Sequence, residues 1–180
     1  MDKNFNTVLY QLEMLSLVNA AIKKLKAENP DYEVFTMSLT TDFDSGLSAI
    51  HFDSRVSSER YLKKEAEQYQ KYIQAGNQSM AEMYAPTGEI RITNPADFEL
   101  PFYAEIKNES FSLDFTEEQE DEVSELEDES SSVYWDDATP ILKQVAAVAY
   151  RTAKSELNVD KDAFEVSYNG PEDWYYPLEK

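Results

Sequence analysis

Between Asn6 and Asp53 the spacing of apolar side chains changes its period, from steps of three and four to steps of two, with no second helix between the alternating runs. Val8, Leu9, Leu12, Leu15, Val18, Ile22 and Leu25 recur at helical spacing, Lys23, Lys24 and Lys26 gather where the helix dipole is negative, and Pro30 ends the run. Phe35, Met37 and Leu39 then share one face of an alternating run. Gly46 to Asp53 supplies a second such run after the turn-forming Asp42-Phe43-Asp44-Ser45-Gly46. A helix followed directly by a β-hairpin excludes a regular βαβ rhythm and favours an antiparallel sheet.

The remaining signals extend this pattern. Ser57 or Ser58 is placed to cap a second helix reaching about Ala75, with Leu62, Ala66, Tyr69 and Ile73 as its stripe and Gly76-Asn77 as its stop. Strands are expected over Glu89 to Thr93 and Phe102 to Lys107, and again where Phe111, Leu113 and Phe115 alternate with polar residues. Thr139-Pro140 reads as N-cap and first residue of a third helix that buries Ile141, Leu142, Val145, Val148, Ala149 and Leu157. Phe164, Val166 and Tyr168 predict a last strand, followed by an aromatic tail with Trp174, Tyr175 and Tyr176 that either packs on the domain or forms an exposed patch. The expected fold is α+β, with a largely antiparallel sheet packed against about three helices. At 180 residues and 42% hydrophobic side chains, residues 1–180 suffice for one core and one domain, with an acidic loop or excursion at about 116–137.

That excursion dominates the charge. From Asn108 to Leu142 there are thirteen Asp and Glu residues and no Lys or Arg, in a chain of net charge -20. Such a block stays hydrated, speeds encounter with positive surfaces, and is repelled by nucleic-acid phosphate and anionic lipid. It predicts a basic protein partner, with no direct nucleic acid and no membrane. The candidate partner-binding residues are Glu117, Glu118, Glu120, Asp121, Glu122, Glu125, Glu127, Asp128, Glu129, Asp136 and Asp137, with Tyr134 and Trp135 as aromatic anchors. Both aromatics could equally be core residues, and Trp135 is assigned to the interface by a small margin. A solvated loop is the competing reading of the block's middle.

Catalytic signals are sparse. Cysteine is absent, which removes disulfides and thiolate chemistry, and the chain is read as a soluble cytoplasmic protein without a leader or membrane span. His51 is the single histidine and shares a strand face with Asp53. The pair could serve acid–base or metal chemistry, but an edge or surface histidine is the favoured reading. Asp42, Asp44 and Gly46 resemble the start of a calcium loop without its further ligands, and hairpin-turn chemistry accounts for them; Asp160 and Asp162 fail the same test. No phosphate-cradling or nucleophile motif occurs, so no cofactor, metal or catalytic residue is assigned.

The run Tyr32-Glu33-Val34-Phe35-Thr36-Met37-Ser38-Leu39-Thr40-Thr41-Asp42 stands after a long first helix and before a second strand and a Ser-Ser-Glu helix start. In this element order, over roughly the first 75 residues, the chain resembles a bacterial domain-of-unknown-function family grouped with polymorphic-toxin immunity proteins. The resemblance implies a small cytoplasmic protein that neutralises a cognate toxin, and it carries over no catalytic residue. With the charge block it predicts a non-catalytic inhibitor or immunity protein for a basic partner such as a nuclease toxin. A DNA mimic acting on a DNA-binding protein, a metal-dependent enzyme using Asp and Glu, and an adaptor whose acidity serves solubility are the alternatives.

Overall fold

The side chain of Asn6 accepts from the Leu9 amide and starts α1, Thr7–Glu28. The computed structural model that shows this describes residues 5–111 and 123–179, and residues 123–133 through their backbone alone. The buried face of α1 is Tyr10, Met14, Leu17, Val18, Ala21, Ile22 and Leu25; Val8 and Leu12, expected inside, are exposed because the helix carries more apolar residues than one stripe needs.

Strands β1 (Thr36–Asp42), β2 (Leu47–Asp53), β3 (Leu100–Lys107), β4 (Glu165–Tyr168) and β5 (Tyr176–Pro177) form one sheet among the described residues, in the order β3-β2-β1-β4-β5. All pairs are antiparallel except β1 with β4. The chain is thus an α+β domain. Met37, Leu39, Ile50, Phe52 and Val166 point to one face of the sheet, where α1 and α4 (Val123–Glu156) close the core. No helix among the described residues is long and apolar enough to cross a membrane.

Four expectations need correction. Helix α2 runs Arg55–Gln74 and its N-cap is Ser54, because Ser58 is buried and spends its hydroxyl on Asp53. After the short α3 (Gln78–Glu82), Glu89 to Thr93 is not a strand: its backbone pairs with no ladder, and Arg91 and Ile92 instead fasten it across the sheet. Phe111 makes only an isolated bridge to Phe5, and Leu113 and Phe115 lie outside the described residues. The third long helix does not begin at Thr139-Pro140. It begins at Val123 and carries Pro140 inside, so residues 123–137 are helix rather than loop. The stripe Tyr134, Ala138, Leu142, Val145, Ala149 and Ala153 continues across Pro140 on the buried side, while the proline itself is exposed. Burial on both sides of the break offsets the missing backbone bond.

Candidate functional site

Alternation in β1 and β2 sends Thr36, Ser38, Thr40, Ala49, His51 and Asp53 to the face away from α1 and α4. That face is polar yet buried, since two distant segments cross it. Asp53 holds the first: one carboxylate oxygen accepts from Ser58 Oγ, the other from the Glu99 amide at 3.0 Å, and Ser58 Oγ accepts from the Ile92 amide at 3.1 Å. Arg91 holds it again, donating to Thr36 Oγ1 at 2.9 Å and to the Ala163 carbonyl at 2.9 Å, with Glu165 at 3.4 Å. The second segment is the tail. Buried Tyr175 donates to Glu165 at 2.6 Å, and burial followed by that carboxylate raises its pKa strongly. Gly170 turns the chain where a Cβ would lie 2.6 Å from the Tyr176 ring.

His51 is not an edge or surface residue: it is 1% exposed in β2, with β1 and β3 on either side. The ladder between β2 and β3 is interrupted opposite it, because Ile50 pairs with Ala104 and Phe52 with Leu100, so residues 101–103 stand against His51 alone. The bulge frees the Phe102 amide, which donates to His51 Nδ1 at 3.1 Å. Nδ1 is therefore an acceptor, and Nε2–H donates to Thr40 Oγ1 at 2.8 Å. Both nitrogens are occupied, and burial lowers the imidazole pKa to about 4. Phe102 sits at φ 48°, a left-handed conformation that bulky side chains avoid, and its ring meets His51 edge-on at 4.8 Å.

At the hairpin end of this face neither segment closes the sheet, and a cavity of about 500 Å³ remains. Thr40, Ala49 and His51 form its floor, Phe102 and Trp174 are exposed aromatic walls, and Asp42, Glu105 and Asp173 carry its charge. No Lys or Arg among the described residues lines it. Asp42 accepts from the Asp44 and Ser45 amides and the Ser45 hydroxyl, which is hairpin-turn capping. Among the described residues no group of three or more His, Asp or Glu is placed to hold a metal ion.

The acidic candidates fare differently. Glu117, Glu118, Glu120, Asp121 and Glu122 lie outside the described residues; Glu125, Glu127, Asp128 and Glu129 fall on the first turns of α4, known through backbone only. Asp136 and Asp137 are exposed. Tyr134 is buried among Phe5, Phe43 and Phe111, the core placement of the two that its sequence position allowed. Trp135 is half-buried, its ring edge-on to Phe43 at 4.8 Å. The tail aromatics divide: Trp174 is exposed, Tyr175 buried, and Tyr176 packs 6.1 Å from Tyr168. Sequence reasoning missed the cavity and the role of Phe102. The only local signal was Asp173-Trp174, an aromatic beside a carboxylate in a loop. No family model, curated protein or solved structure matches this chain.

Proposed function

We propose that this protein is a cytoplasmic, non-catalytic binding protein that occludes a basic surface of a protein partner, in the manner of an inhibitor or immunity protein acting on a nuclease toxin. The observation that supports this reading best is the cavity. It combines exposed aromatic walls with an all-acidic charge set, the chemistry that attracts and anchors a cationic surface. The candidate acid–base pair is committed elsewhere: His51 spends both nitrogens inside the sheet, and Asp53 spends both oxygens fastening the covering segment. The acid block from Glu117 to Asp137 adds long-range steering toward such a surface.

Affinity capture from the native host at low salt, with parallel elution at high salt, tests the proposal. Enrichment of one basic protein, released by salt, is expected. Capture of only acidic proteins, or none that depends on ionic strength, would defeat it.

A further inference from the structure

At the far end of the cavity's own sheet face, the protein binds two guanidinium groups of its own. Arg91 lies 4.3 Å and Arg55 4.5 Å from the centre of the Phe35 ring. Each is held by a carboxylate, Arg91 by Glu165 at 3.4 Å and Arg55 by Asp160 at 2.7 Å. At the hairpin end the same ingredients recur with no lining cation among the described residues: exposed rings at Phe102 and Trp174, and carboxylates at Glu105 and Asp173. Lys107 follows Glu105 on that strand face and pairs with the lining residue Leu47, but is not itself part of the lining.

We infer that the cavity takes an arginine side chain from a basic segment of the protein partner, its guanidinium stacked on Phe102 or Trp174 and paired with Glu105 and Asp173. The inference rests on the reading of the protein as a binder of a basic protein. A guanidinium fits better than an ammonium, because it is planar, weakly hydrated and stacks on aromatic faces while reaching two carboxylates. The floor does not oppose it: His51 is fixed as an acceptor at Nδ1 and carries no charge near neutrality. A volume of about 500 Å³ exceeds one side chain, leaving room for part of the segment that bears it.

The chain has two tryptophans, so the Trp174 indole N–H is readily resolved as the probe. Titration of the full chain with acetyl-Gly-Arg-Gly-amide, followed by ¹H–¹⁵N spectra, should shift the Trp174 signal saturably and more than that of Trp135, which lines the adjoining pocket. The neutral citrulline peptide should leave both unmoved, and the lysine peptide should bind about two- to five-fold more weakly. The double variant Glu105→Gln, Asp173→Asn should weaken the arginine peptide at least about five-fold with an otherwise unchanged spectrum. The captured partner should lose affinity to the same variant. Equal binding of citrulline, or no movement of Trp174, would overturn the inference, as would equal binding of lysine. If Trp174 stays still while the partner binds through Glu117 to Glu122, the cavity assignment fails and the binding function stands. If the peptide behaves as expected and no basic protein is captured, the protein origin of the arginine fails instead.

Discussion

Burial disfavours a second proton on His51, whose nitrogens already meet an amide and a hydroxyl, and the neighbouring Pro95 backbone offsets only part of that. Burial therefore holds His51 near a pKa of about 4, against its ordinary 6.5. Between those values the unfolded chain binds a proton that the folded chain refuses. The penalty is nil above pH 6.5 and grows as pH falls toward 4, reaching about 3 kcal/mol. His51→Gln should cost about 1 kcal/mol at pH 7 and remove this term. Urea unfolding at pH 7, 5.5 and 4.5 should show the wild type losing the more stability; parallel losses would mean that His51 titrates freely in the fold. Trp135 poses a different question. Half-buried against Phe43, it should cost about 1 to 3 kcal/mol as Trp135→Ala. An unchanged melting temperature with lost partner binding would assign it wholly to the interface.

Among the elements, α4 departs most from expectation, and Pro140 tests it. In a continuous helix an exposed interior proline costs about 3 kcal/mol, so Pro140→Ala should raise the melting temperature. If the helix began at Thr139, the same change would leave stability level or lower it. Helix α1, the hairpin, β3 and β4 were legible because one period governs most of each, although Phe35, expected beside Met37 and Leu39, instead packs against Arg91 and Arg55. The burial of His51 was not. Period-two alternation shows that residues 49, 51 and 53 share a face, but the cover over that face comes from Arg91 to Glu99 and from the tail. No local pattern announces contacts between segments so far apart. For the same reason Ser58, a plausible cap by spacing, proved to be the buried link between Asp53 and Ile92. The cavity was illegible too, since its walls come from β3 and a loop beyond β4.

Glu13 of α1 accepts from Asn108 Nδ2 at 3.0 Å, the Glu109 amide at 2.7 Å and Ser110 Oγ at 2.6 Å, anchoring the chain just before the acid block. In the proposed function the carboxylates of the block contribute a field toward a basic partner. Replacing Glu117, Glu118, Glu120, Asp121 and Glu122 with Gln or Asn should slow association with the partner, most at low salt, while dissociation changes less. Stability should hold or rise slightly through reduced self-repulsion. Stopped-flow rates across a salt series, with a thermal melt of each variant, check both; a salt-independent association rate would remove the steering role. The parallel pairing of β1 with β4 matters during synthesis as well. Strand β1 lies mid-sheet, yet its second neighbour is made only when the ribosome reaches Glu165 to Tyr168. Until then the nascent chain presents an open strand edge, complete on one side by the hairpin and bare on the other. A nascent chain halted short of Glu165 should therefore be a substrate for chaperones and for strand-to-strand aggregation, whatever the quality of the core already formed.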